Sequence, residues 1–149
     1  MTDDPTDNTP LRHDSAPPSL FMRILRKEIP SFEVYEDAHV YGFLTQDAIR
    51  HGHALLIPKV EVDYFVDVPE PYYSAVFQAA KPVSRAIQQV TGCVRVGTII
   101  AGWDVPHFHY HLVPMFEYED LDLARARPYS DTENQTMAEA IRNALASGT

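Results

Sequence analysis

Cysteine is almost missing from this chain. Among 149 residues there is one, Cys93, which excludes an internal disulfide framework and a cysteine-based zinc site. It falls in a predicted strand over residues 93–101 and reads as a small core residue. Long apolar runs are missing too. None approaches the roughly 18 residues of a membrane-spanning helix. The opening Met1-Thr2-Asp3-Asp4-Pro5 has neither the basic nor the apolar region of a secretory signal, so a cytoplasmic location is expected by elimination. Positive charge is scarce: 12 Lys and Arg face 21 Asp and Glu, a formal charge of −9. That argues against gripping long nucleic acid through many phosphates. It leaves room for one small phosphorylated ligand, which needs only a few local donors.

What is present is enough for a packed core, since 45% of the residues are hydrophobic and 11% aromatic. Residues 1–18 are rich in Asp, Thr and Pro and are expected to be a disordered tail that includes His13. Residues 19–149 are expected to form one domain. Ser19 caps a short predicted helix with apolar residues at 20, 21, 24 and 25, stopped by Pro30. Alternating strands follow over 31–37 and 39–45, joined as a hairpin near Asp37. A loop over 46–52 leads to a buried strand over 53–58. Residues 70–91 read as a helix ended by Gly92, with a kink or break at Pro82. A strand over 93–101, a loop over 102–106 and a strand over 107–114 come next. Residues 116–128 read as weakly ordered. Ser130 and Glu133 form a predicted capping box opening a last helix with Met137, Ile141 and Leu145 on one face. The order implies an α+β protein: a five-stranded antiparallel sheet with helices packed mainly on one face.

The most informative stretch is Val-Pro-His-Phe-His-Tyr-His-Leu-Val-Pro, residues 105–114. Strict alternation predicts a half-buried strand, on which His107, His109 and His111 share one face, about 6.6–6.8 Å apart per step. Phe108, Tyr110 and Leu112 then face the core, and Pro106 and Pro114 suit strand ends. Three imidazoles together must be solvated, paired or bound to something. The residues alone allow a solvated histidine-rich face, a histidine nucleophile tuned by its neighbours, or a transition-metal site. His53 opens another strand of the same sheet and could fix the tautomer of a catalytic imidazole. The loop before the triple-histidine strand, Ala101-Gly102-Trp103-Asp104, is a candidate ligand loop. Gly102 would let backbone approach a ligand, N–H groups could hold an oxyanion, and Trp103 could stack on a base or cover the sheet edge.

His-Phe-His-Tyr-His-Leu-Val resembles the His-φ-His-φ-His-φ-φ signature of the histidine triad (HIT) superfamily, in particular its small nucleoside-phosphate hydrolases and transferases. Ile29-Pro30, Val34-Tyr35-Glu36-Asp37, Gly52-His53, Leu56-Ile57-Pro58-Lys59 and Ala101-Gly102 occur in family order. The resemblance implies that His109 attacks an α-phosphorus, giving a covalent nucleotidyl-histidine later resolved by water or another acceptor. It implies that His111 and His53 orient and polarise His109, that His107 lies near the phosphate and leaving group, and that the protein is a homodimer needing no cofactor. The alternatives are a catalytically weak nucleotide-binding module and a metal-dependent hydrolase using the histidine cluster. Several positions depart from the family pattern. Thr45 stands where a ribose-holding Asp is usual, Val96 for an Asn, Trp103 for a Gln, and Asp104 for a Ser or similar residue. Where some members hold a structural zinc, this chain has Ser19, Met22 and Glu61, so no metal is expected.

Overall fold

The computed structural model describes residues 17–148. The expected disordered tail, His13 included, therefore lies almost wholly outside the described residues. Five strands form one antiparallel sheet in the order β1-β2-β4-β6-β5. They are β1 (Glu33–Glu36), β2 (Val40–Leu44), β4 (Ala54–Pro58), β5 (Arg95–Ile99) and β6 (Tyr110–Met115). Two residues in the loop after β2 form β3 (Asp47–Ala48), which pairs with β7 (Arg127–Pro128) in a separate ribbon.

Strand alternation sorts the core into two layers. Val40 and Leu44 of β2, Ala54 and Leu56 of β4, and Leu112 of β6 face α2 (Tyr72–Thr91) and α3 (Asp131–Ala146). Tyr41, Phe43, Leu55 and Ile57 face the other way, where α1 (Leu20–Leu25) lays Phe21, Met22, Ile24 and Leu25 on them. Two helices thus cover one face, and a single six-residue turn of helix covers part of the other. That second face holds the histidines. No helix among the described residues is long and apolar enough to cross a membrane.

Several local expectations need correction. Of the kink or break expected at Pro82, the break does not occur: α2 is one helix of 20 residues. Proline there removes one backbone donor, but Val76, Ala79, Val83, Ala86 and Ile87 bury an unbroken stripe against the sheet, which outweighs the lost bond. Gly92 does end it, in the left-handed conformation at φ 71°, its N–H donating to Gln88 O. α1 stops at Leu25, ahead of Pro30, because Lys27 already turns left-handed at φ 62°. At α3, Ser130 Oγ accepts from Glu133 N, while the Glu133 carboxylate takes the Ser130 hydroxyl hydrogen. That is a single cap, not the reciprocal box. Cys93 is buried but precedes β5.

Residues 116–128 are the largest correction. They form two short helical turns, Tyr118–Asp120 and Leu123–Arg125, and the strand β7. Asp120 sits at 0% exposure and binds the N–H groups of Phe116 and Glu117. An acidic, aromatic-bearing stretch looks solvated when read alone; here its carboxylates pair with Arg50 from the loop before β4 and with Arg125 of the stretch itself.

Candidate active site

The histidines come together on the α1 face of the sheet, though not all from a strand. β6 begins at Tyr110, so His107 and His109 belong to the approach to it. Local bonds take over there: His107 N donates to Val105 O, and Phe108 N to Val62 O. The alternation survives, since Phe108 and Leu112 are in the α2–α3 core while Phe21 of α1 packs edge-on against His109 and His107, at 5.1 and 6.1 Å between ring centroids. Tyr110 is only half-buried, and Pro114, expected at a strand end, lies inside β6 opposite Val96.

All four site histidines are buried, at 0–5% exposure. Burial disfavours the charged forms of His53, His107 and His111. It holds His53 down to about 3, with His111 adding repulsion. It holds His107 and His111 down to about 4, against the upward pull of Glu61 and Asp63 on the first and Asp104 on the second. These three rings are neutral at pH 7, and for a neutral ring the partners dictate the tautomer.

His107 Nε2 lies 2.9 Å from the Pro58 carbonyl, which only accepts, so Nε2 carries the hydrogen. Nδ1 then accepts from the Ser19 hydroxyl at 3.3 Å. Ser19 is held in turn by its N–H to Glu61 Oε1 at 2.9 Å and by capping Met22 N. Both nitrogens of His107 are thereby occupied. His109 Nδ1 donates to the His107 carbonyl at 2.7 Å, which leaves Nε2 with the lone pair in the neutral ring. His53 Nδ1 accepts from the Ile49 N–H at 3.1 Å. Its Nε2–H therefore donates to His111 Nδ1, 2.9 Å away. His111 must then carry hydrogen on Nε2, and that atom is the one buried side-chain nitrogen or oxygen among the described residues with no partner. A lone-pair nitrogen on His109 and an unanswered N–H on His111 stand on rings 5.1 Å apart.

Gly52 delivers His53 to this arrangement. Its φ is +104°, and an added Cβ would come within 2.9 Å of Thr91 Cγ2, so only glycine fits. Gly102 is also left-handed, at φ +68°, but an added Cβ would meet open space. Its glycine serves the turn, with no neighbouring side chain or backbone pressed against it. Ala101, Gly102, Trp103 and Asp104 form an exposed loop; Trp103 is 90% exposed and covers no sheet edge. Thr45 sits at the end of the β2–β4 ladder, its N–H donating to His53 O. Val96 packs toward the α2–α3 core, away from the histidines.

Sequence reasoning missed four contributors: the Pro58 carbonyl and the Ser19 hydroxyl on His107, the Phe21 ring on His109, and the Ile49 N–H on His53. Only Ser19 carried a signal, as a helix cap.

Residues 26–118 match the model of the HIT domain, and the chain belongs to the HIT family. It is 30% identical over 128 residues to adenosine 5′-monophosphoramidase HNT1 of Saccharomyces cerevisiae, covering 85% of this chain and 80% of that one. It is 28% identical over 137 residues to adenylylsulfatase HINT3 of Arabidopsis thaliana, covering 86% and 70%. A zinc-bound histidine triad family protein from Mycobacterium smegmatis superposes with a TM-score of 0.74 at 25% identity, covering 86% of this chain and 93% of that one.

That zinc-bound relative invites a test of fit. The structure does gather Ser19, Met22, Glu61 and His107. However, Met22 is wholly buried in the apolar α1 cluster, the Ser19 hydroxyl caps a helix, and both His107 nitrogens are engaged. These residues do not fit zinc. Among the described residues no group of three His, Cys, Asp or Glu side chains stands together as a metal site.

Proposed function

We propose that this chain is a nucleotide hydrolase or nucleotidyl transferase that cleaves a phosphoramidate or phosphoanhydride bond at an α-phosphorus, with His109 as nucleophile. The observation that carries the reading is the bond from His109 Nδ1–H to the His107 carbonyl, which turns the lone pair of Nε2 outward from that anchor. In the first step Nε2 forms an N–P bond and the leaving group departs with the electron pair of its own bond to phosphorus, an amine taking up a proton from solvent as it leaves. The substituted ring becomes cationic, and the His107 carbonyl accepts from its Nδ1–H throughout. Water or another acceptor then attacks phosphorus and releases its proton to solvent while the N–P electron pair returns to Nε2. The His111 N–H is a fixed donor for charge growing on an equatorial phosphate oxygen. His53 sets its direction. The 101–104 loop and Thr45 border the nucleotide, with Trp103 free to stack on a base.

The family relatives that act on adenosine 5′-monophosphoramidate and adenylylsulfate support this substrate class. Incubation with adenosine phosphoramidate, then rapid quenching and intact-mass measurement, tests it. Turnover with a transient nucleotidyl adduct that His109→Ala abolishes is the expected result. Turnover unchanged in His109→Ala would remove the nucleophile.

A weak nucleotide-binding module is the second reading. It is favoured by the 3% exposure of His109 beneath Phe21, and binding without adduct or turnover would select it. We also propose a homodimer in the cytoplasm. β5 is an edge strand with one neighbour, and beside it α2 bears a cleft of about 410 Å³ lined by Tyr73, Ser74, Phe77, Gln78 and Lys81. Light scattering showing a monomer would reject the dimer.

A further inference from the structure

The hydrogen on His111 Nε2 is decided far from the ring itself. His111 takes its tautomer from His53, and His53 takes its own from one backbone donor, Ile49 N–H. That donor sits in the turn over residues 46–52, held at three points. Its first strand residues pair with β7, Asp47 with Pro128 and Ala48 with Arg127. The Arg50 carbonyl accepts from His53 N at 3.1 Å. The Arg50 side chain reaches the buried Asp120, Nε to Oδ1 at 2.8 Å, and lies over the Phe116 ring at 5.0 Å. Burial works against the charge on Asp120, but the Arg50 bond and the Phe116 and Glu117 N–H groups outweigh it and keep the carboxyl below its ordinary range.

We propose that Arg50 and Asp120 are positioning residues for the reaction: by pinning the 46–52 turn to the segment after the triad, they keep Ile49 N–H on His53 and so keep His111 a donor. The physical point is that the two-ring relay has two registers. With Ile49 N–H in place, His53 is protonated on Nε2 and His111 presents N–H to the site. Without it, His53 can carry hydrogen on Nδ1 instead. Its bare Nε2 then accepts from His111 Nδ1–H, and His111 presents a lone pair. A lone pair facing a phosphate oxygen repels the charge that the N–H would stabilise. One side-chain contact outside the motif thus sets the polarity of a catalytic group. Arg50 and Asp120 touch no reacting atom.

The inference rests on the proposed reading of His109 for its kinetic consequence, but its structural core can be tested without substrate. Imidazole nitrogen shifts of 15N-labelled protein at pH 7.5 report which nitrogen carries hydrogen. The wild type is expected to show His53 and His111 both protonated on Nε2. Arg50→Gln is expected to move both rings toward Nδ1–H. It is also expected to lower kcat for adenosine phosphoramidate by about tenfold, with KM within about twofold, a fraction of the roughly 10²–10³ that a lost oxyanion donor costs. Arg50→Lys, which keeps a cation against Asp120, is expected to restore most of both. A wild-type His53 protonated on Nδ1 overturns the proposal even if the variant fails to fold. So does Arg50→Gln with wild-type tautomers, whatever its melting temperature. Absence of turnover in the wild type would count against the His109 reading, and the nitrogen shifts would still decide the relay.

Discussion

His107 and His111 are the same residue type in one motif, both buried and neutral, yet the structure spends them differently. At the α1 end, His107 has each nitrogen matched, Nε2 to Pro58 O and Nδ1 to Ser19 Oγ. At the His53 end, His111 has one nitrogen matched and one left open. A buried polar group without a partner costs about 1–3 kcal/mol, and such a cost persists where a ligand supplies the missing partner. The closed end is therefore a fixture that positions α1 and, through the His107 carbonyl, the His109 ring. The open end is the one our proposed reaction uses, with substrate supplying the missing partner.

Substitutions can sharpen or break this contrast. The largest effect belongs to the ring between the two ends. His109→Ala is expected to lower turnover by about three orders of magnitude or more while a thermal melt shows the fold retained, because the side chain lies against Phe21 at the site and outside the α2–α3 core. Next, His111→Ala is expected to reduce kcat by roughly 10²-fold and to cost about 1–3 kcal/mol in stability, since it leaves the buried His53 Nε2–H without its acceptor. Retained kcat there would erase the contrast.

His107→Leu is expected to do the reverse. It should lose about 2–4 kcal/mol in a urea melt, because the Pro58 carbonyl and Ser19 hydroxyl are left unsatisfied in a dry site, with kcat falling less than in His111→Ala. The pH dependence is shared by both ends. His53, His107 and His111 have folded values of about 3, 4 and 4, below the ordinary 6.5. The unfolded chain thus binds more protons than the native one between those limits. The contribution to stability is whole above about pH 6.5 and is lost as pH falls toward 4, which melting temperatures across that range will show. Smallest of all, Trp103→Ala is expected to leave stability within about 0.5 kcal/mol and to raise KM with kcat unchanged.

How much of this was legible beforehand depended on the range of the cause. Element types followed from period and capping: Ser19 and Gly92 end helices as read, and Asp37 turns the hairpin by accepting from His39 N and Val40 N. The grouping of His53 with the triad was legible too, because opposite strands of one sheet bring their ends together. The division of labour among the histidines was not. It turns on Pro58 O, Ser19 Oγ and Ile49 N, from 4 to 88 residues away along the chain from the rings they hold. Nor was the order in 116–128, where the buried Asp120 takes its closest cation, Arg50, from 70 residues away.

By itself the sequence determined that three imidazoles would share a face and that a sheet strand would run on from them, since side-chain direction along an extended chain is a local, two-residue matter. Only the tertiary structure decided which nitrogen of each ring would hold a hydrogen. A neutral imidazole has two nearly equivalent tautomers, and the choice falls to whichever donor or carbonyl folding brings within about 3 Å.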